Sequence, residues 1–401
     1  MLTHELVAAP EGLLQMGPPF PATRLSQIET WITNPHAGQD SWGQVKPFLF
    51  VRLTLSDGQT GWGEAFVLPC REKAVAEIIH ALGAALAAQD HQTPRVLRDL
   101  AARISDKHRG LDFSAATSAL EIALWDIHGK QMQKPLRELL GGHRNGGIPI
   151  YANIWSETQW RATDLVNRAK QLRSQGYTAL KIHPFQNHTL EEATDAVAMV
   201  RAAIGPDTRL MVDLDSCLDA ETALRFADRI APYAPYWLEE PTDGGDVDAL
   251  ARVAHGTALR IVTGERQCSG LAFKAILGVG AAGILNPDIA GLGGILDMLD
   301  LAALAEQKGV ALSPHCWNSM TVACSAMLHL CAALPNAEMA EIYPEYLAFG
   351  EQFARVGYTL HGAHATLSDA HGLGVEMDAE ALHAYADAYQ ENRFEHRMVP
   401  A

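Results

Sequence analysis

Eight short apolar runs follow one another between residues 148 and 343, and nearly every one ends in an ionisable residue. They read IPIYANIW, YTALKIH, TRLMVDLD, PYWLEEP, LRIVTGE, AGILNPD, GVALSPH and AEMAEIY, with helical stretches between them. The terminal residues are Lys181 with His183, then Asp213, Glu239, Glu265, Asp288, His315 and Glu341, spaced 23 to 27 residues apart from Asp213 onward. That spacing is one strand plus one helix. A chain that repeats this unit eight times has one economical solution, a parallel (β/α)₈ barrel of the α/β class, whose active site forms where the strands end. The intervening helices carry their own punctuation. Thr189 and Glu192 stand as a capping box, and Gly176, Gly256 and Gly309 fall where helices stop.

The segment before the barrel has another texture. Within 46–67, apolar and polar residues alternate around Ser56-Asp57-Gly58, which predicts a hairpin, and helices are expected near 72–89, 94–106 and 113–133. Residues 1–142 are therefore read as an α+β capping domain, 143–349 as the barrel, and 350–401 as a segment that packs back on the cap. The polar, turn-rich stretch 33–44, with His36 and Trp42, suits a lid over substrate.

Three successive carboxylates, Asp213, Glu239 and Glu265, converge on one side of the expected barrel mouth. Left unpaired they repel and are forced towards protonation. A hard cation with open positions for water and substrate resolves that conflict, and three carboxylates suit one Mg²⁺. The competing reading, three separate carboxylates that pair with Lys or Arg or cap helices, does not account for their equal spacing. Asp288 and His315 end adjacent strands, so the carboxylate can orient the imidazole as a general base. Lys181 and His183 lie two apart on one strand and so point to the same side. Lys181 is open to two compatible roles, a base on the face opposite His315 or a counter-ion to Asp213. GLGG at 291–294 reads as a tight turn rather than a phosphate cradle, since it matches no nucleotide-binding pattern. Cys316 beside His315 reads as a buried bystander rather than a catalytic thiol.

Charge and cysteine usage bound the partners. The formal net charge is −16, which argues against nucleic acid or an anionic membrane and leaves a small anionic substrate open, because a bound metal reverses the local sign. The six cysteines show no CxxC, no apolar run is long enough to span a membrane, and the first basic residue is Arg24, so a cytoplasmic protein is expected.

These motifs resemble the enolase superfamily, and within it the mandelate racemase subgroup of acid-sugar dehydratases and racemases. GWGEAF, ALWDIHGK and GLGVEMD carry the likeness through the cap and tail; MVDLD, LEEP, TGE, NPD and SPH carry it through the barrel. The resemblance implies that Asp213, Glu239 and Glu265 hold Mg²⁺ and that His315, with Asp288, removes the proton beside a substrate carboxylate. It also implies that Glu341 is the acid of the eighth strand. Where the subgroup commonly has Lys-x-Lys, this chain has Lys181 and His183, so a histidine stands at the position of the second base. Asn153 and Asp215, with His36 and Trp42, are the expected substrate contacts. The implied reaction is dehydration of an aldonate or aldarate through an enediolate. A racemase, an epimerase or a lactone cycloisomerase would share that intermediate, and a non-catalytic binding barrel would have no use for the clustered acids. Large capped barrels commonly self-associate, so a homo-oligomer is expected.

Overall fold

The computed structural model describes residues 24–34, 47–142, 146–154, 161–185, 188–317 and 320–389. Three antiparallel strands, β1 (Leu25–Thr33), β2 (Phe48–Leu55) and β3 (Thr60–Ala65), open the cap. The β2–β3 turn is the expected one, with Gly58 at φ +86°. Helices α1 (Glu72–Ala87), α2 (Pro94–Ser105), α3 (Leu111–Gln131) and the short α4 (Leu136–Leu139) follow. Gly61 and Gly63 on β3 let α3 lie directly on the sheet: a Cβ at Gly63 would stand 1.8 Å from the Ala119 carbonyl oxygen. Residues Ser114 to Gly129 of α3 are all buried, because cap sheet and barrel press on it from both sides.

The barrel strands are β4 (Ile148–Ile154), β5 (Ala179–Ile182), β6 (Arg209–Asp213), β7 (Trp237–Glu239), β8 (Ile261–Thr263), β9 (Ile284–Leu285), β10 (Ala311–Leu312) and β11 (Ala340–Ile342). They pair in parallel in chain order, β11 returns to β4, and a parallel bridge between Leu312 and Ala337 closes the ring. This is the (β/α)₈ barrel the spacing predicts. Helices α5 (Ala162–Ser174), α6 (Leu190–Ile204), α7 (Ala220–Ile230), α8 (Val247–Gly256), α9 (Gly270–Gly278), α10 (Ile295–Gln307) and α11 (Val322–Ala333) form its outer layer. Both halves of the Thr189–Glu192 capping box are made. Gly176 and Gly309 take the left-handed conformation that ends a helix, at φ +93° and +67°, whereas Gly256 is the last residue of α8.

After α12 (Pro344–Gly350) come β12 (Ala354–Arg355), β13 (Tyr358–Leu360), β14 (His364–Leu367), β15 (Glu376–Met377) and α13 (Ala379–Tyr389). This tail touches both halves of the molecule. β14 pairs antiparallel with β4, the Leu373 amide donates to Asp126 of α3, and α13 packs on β1. Among the described residues no helix is long and apolar enough to cross a membrane.

Candidate active site

Residues two apart on a strand share a face, so each barrel strand adds one inward side chain per layer. The lower layer is apolar and closed: Tyr151, Ala179, Met211, Trp237, Val262, Ile284 and Met339 fill it. Two residues further along these strands the side chains turn polar, giving Asn153, Lys181, Asp213, Glu239, Asn286 and Glu341, all buried. The polar layer therefore stands on a packed, largely apolar floor.

Asp213, Glu239 and Glu265 present carboxylate oxygens within 4.8 Å of one another. Burial pushes Glu239 and Glu265 well above the usual carboxylate range, and Asp213 adds to the rise in both. Burial would raise Asp213 too, but His183 and Lys181 beside it hold it down at about 2. Glu265 Oε2 is buried and accepts no hydrogen bond from any of the described residues. A hard cation fits this donor set, since it would supply the charge that the crowded oxygens lack.

Beneath the cluster lies Lys181. Its Nζ donates to Glu239 at 2.5 Å and stands 2.8 Å from Glu341 and 3.2 Å from Asp213. Burial alone would lower its pKa, but Glu239 and Glu341 hold it well above the normal value. Here Lys181 is an ammonium that neutralises carboxylates. Glu341 accepts from Lys181 and Asn153 through Oε1 and from the Cys316 amide through Oε2. Despite burial, Lys181 and His315 keep its pKa low.

His315 Nδ1 lies 2.9 Å from Asp288 Oδ2, and the two residues are bridged in the sheet as well. A carboxylate partner fixes the proton on Nδ1 and leaves Nε2 as the acceptor. That nitrogen lies 3.4 Å from Glu265 Oε2, beside the carboxylate cluster. His183 has different surroundings. Its Nε2 lies 3.1 Å from Asn153 Oδ1, and Nδ1 lies 3.5 Å from Asp213. Burial lowers its pKa more than Asp213 raises it, so it is held neutral.

Sequence comparison fits this geometry. Residues 27–141 match the mandelate racemase/muconate lactonizing enzyme N-terminal domain, and residues 164–381 match the family described as enolase C-terminal domain-like. A D-galactarolactone cycloisomerase of Agrobacterium fabrum is 30% identical over 372 residues, covering 90% of this chain and 97% of that protein. The chain belongs to the mandelate racemase/muconate lactonizing enzyme family. A D-galactonate dehydratase of Ralstonia nicotianae is 31% identical over 84% of this chain and 90% of its own length, and that name recurs among other bacterial relatives. A solved enolase from Sargasso Sea environmental sequence superposes with a TM-score of 0.85 at 36% identity, covering 91% of this chain and 97% of that one.

In this member of the mandelate racemase/muconate lactonizing enzyme family, a cavity of about 390 Å³ opens over the cluster. Of the site residues read from the sequence, His183, Asp213, Asp215, Glu265 and His315 line it. Asn153 does not: its amide is used by Glu341, the Tyr343 hydroxyl and His183, which places it behind the wall. His36 and Trp42 lie outside the described residues, as does most of the 33–44 stretch. Six lining residues escaped the sequence reading: Arg266, Tyr343 and the apolar Phe66, Leu68, Leu111 and Trp317. Arg266 directly follows Glu265 and Tyr343 sits two beyond Glu341 on its face, so adjacency to a strand end was the available signal for both. Asn286 was missed too; it donates to Glu239 at 2.9 Å. Cys316 is a free thiol; a hydrogen bond with the Cys324 thiol, together with burial, raises it well above normal and keeps it protonated. Gly293 and Gly294 form the predicted turn, at φ +131° and +103°, and the Glu121 carboxylate occupies the amides that follow.

Proposed function

We propose that the protein is a Mg²⁺-dependent hydro-lyase that dehydrates an acid sugar, an aldonate or aldarate, to a 2-keto-3-deoxy acid. The observation that carries the reading is the His315–Asp288 pair, whose Nε2 lies 3.4 Å from Glu265 beside the three carboxylates, in the wall of the cavity. Asp213, Glu239 and Glu265 would hold the metal. When bound, Mg²⁺ supplies a Lewis acid for the substrate carboxylate as it gains charge.

His315 Nε2 accepts the α-proton, and the C–H electron pair moves into the carboxylate as an enediolate. As that pair returns, the C–O bond at the β-carbon breaks, and His315 gives its proton to the departing hydroxyl, which leaves as water. The resulting enol tautomerises to the keto acid. Asp288 holds the imidazole in the required tautomer and stabilises its charged form. Lys181 offsets charge beneath the site, Glu341 and Asn153 position their neighbours, and neutral His183 contacts the substrate from the other side. The apolar floor excludes water from below, which strengthens each of these interactions.

Incubation of the Mg²⁺-loaded protein with a panel of acid sugars in D₂O tests this reading. A 2-keto-3-deoxy acid, lost on chelation and restored by Mg²⁺, is expected. Deuterium at an inverted α-carbon with the skeleton intact would establish a racemase or epimerase instead. Full turnover in excess chelator would remove the metal from the scheme. The cycloisomerase among the relatives favours a second reading, ring-opening of a sugar lactone by the same α-proton chemistry.

A further inference from the structure

Among the described residues that line the cavity, Arg266 is the one permanently charged cation; Lys181 is sealed below it and engaged by three carboxylates. The Arg266 side chain is 45% exposed and pairs through Nη2 with Asp215, itself 67% exposed. An ion pair open to solvent on both sides is weak and exchanges readily. Its platform is built with some care. Asp215 and Ser216 both take left-handed backbone conformations, at φ +49° and +58°, which non-glycine residues adopt at a cost. The buried Glu240 carboxylate ties that turn to the end of β8, just before Arg266: it accepts from Ser216 Oγ at 3.0 Å, Thr263 Oγ1 at 2.8 Å and the Gly264 amide at 2.7 Å. The Asp215 amide donates to Asp213. The loops after β6 and β8 are thus locked so that one carboxylate meets one guanidinium at the mouth of the site.

We infer that Arg266 receives a second, terminal carboxylate of the substrate, with Asp215 as its resident stand-in, so that the enzyme's substrates are aldarates or their lactones rather than aldonates. The inference rests on the acid-sugar reading above. His315 Nε2 and Arg266 Nε approach the two oxygens of the same Glu265 carboxylate, at 3.4 Å and 3.9 Å. A short carbon chain with its α-carbon at His315 therefore spans to Arg266. A guanidinium binds carboxylate through paired donors, and a substrate carboxylate can replace that of Asp215 with no loss of charge pairing. The terminal hydroxyl of an aldonate cannot: to displace Asp215 it would have to break an ion pair and return only a neutral hydrogen bond.

The test compares matched pairs that differ only in the terminal group, galactarate against galactonate and glucarate against gluconate, within a wider panel of such pairs. The Mg²⁺-loaded enzyme is assayed for kcat and KM and, separately, for α-proton exchange in D₂O. The parent is expected to prefer the diacid of its reactive pair by at least tenfold in kcat/KM. Arg266→Gln should cut that preference at least tenfold, mainly through KM, while Asp215→Asn should keep or increase it. A parent that prefers the monoacid, or a diacid preference that survives in Arg266→Gln, overturns the inference while leaving the acid-sugar reading in place. Exchange with none of the acids overturns both.

Discussion

His315 and His183 are imidazoles on one rim with different neighbours, and the neighbours decide which can move a proton. Asp288 turns His315 so that Nε2 keeps its lone pair towards the cavity. His183 sits against Asn153 Oδ1, which accepts only if Nε2 carries hydrogen, and burial keeps the ring neutral. In the proposed scheme His315 is therefore the base, and His183, whose N–H is given to Asn153, is a neutral contact on the cavity wall. Because His315 serves as base and then acid in the proposed scheme, His315→Asn should lower kcat by more than the ~10²–10⁴ usual for one proton-transfer group. His183→Asn should cost less and act in part on KM. Steady-state kinetics with the reactive acid decides it, and an equal or larger kcat loss at His183 would reverse the assignment.

Helices α10 and α11 follow the strands that carry Asp288 and His315, and each has its N-terminus held by a carboxylate from the cap. Glu121 of α3 accepts from the Ile295 and Leu296 amides at 2.6 Å and 3.0 Å, and Glu64 of β3 accepts from Met320 and Ala323 at 2.8 Å and 2.9 Å. Both satisfy amides that a helix leaves unpaired and set negative charge at the positive end of the dipole. In Glu121→Gln one oxygen becomes an NH₂ that faces a donor, so a loss of roughly 1–3 kcal/mol is expected; denaturant unfolding that shows no change would refute this clamp. Nothing in the sequence announces it, since Glu121 and Ile295 lie 174 residues apart. The Thr189–Glu192 cap was legible because both partners sit on one helical turn. The same contrast runs through the site. Asp213, Glu239, Glu265, Asp288 and His315 were legible because the βα repeat dates each strand end. The parts played by Asn153, Asn286 and Arg266 depend on which residue stands across the strand, and a single chain's pattern does not encode that.

Across the whole molecule, cap and barrel are joined by buried groups whose titration couples folding to pH. Burial raises both Glu64 and Glu121 from 4.5 to about 7, outweighing the amides that hydrogen-bond to them. A raised carboxylate favours the protonated fold, so its contribution is fully present below pH 4.5 and is lost as pH rises through about 7. At 1.36 kcal/mol per pKa unit, each group is worth roughly 3 kcal/mol over that window. His329 of α11 opposes them. Its Nδ1 accepts from the Arg137 amide, and burial, with Arg137 nearby, lowers it from 6.5 to about 3. That contribution is present above pH 6.5 and is lost as pH falls towards 3. Between about pH 4.5 and 6.5 the two effects run against each other, and the parent protein's stability depends less on pH there than either set alone would give. In the double variant Glu64→Gln, Glu121→Gln the carboxylate side of that balance is gone. Its stability deficit relative to the parent should be largest near pH 5 and shrink by several kcal/mol towards pH 8, because only the parent carries the growing cost of buried charge. Denaturant unfolding of both proteins at pH 5, 6, 7 and 8 gives the comparison. A deficit that stays constant over this range, or grows with pH, would mean that the two carboxylates are already ionised in the folded protein at pH 5 and that the seam is held by charge.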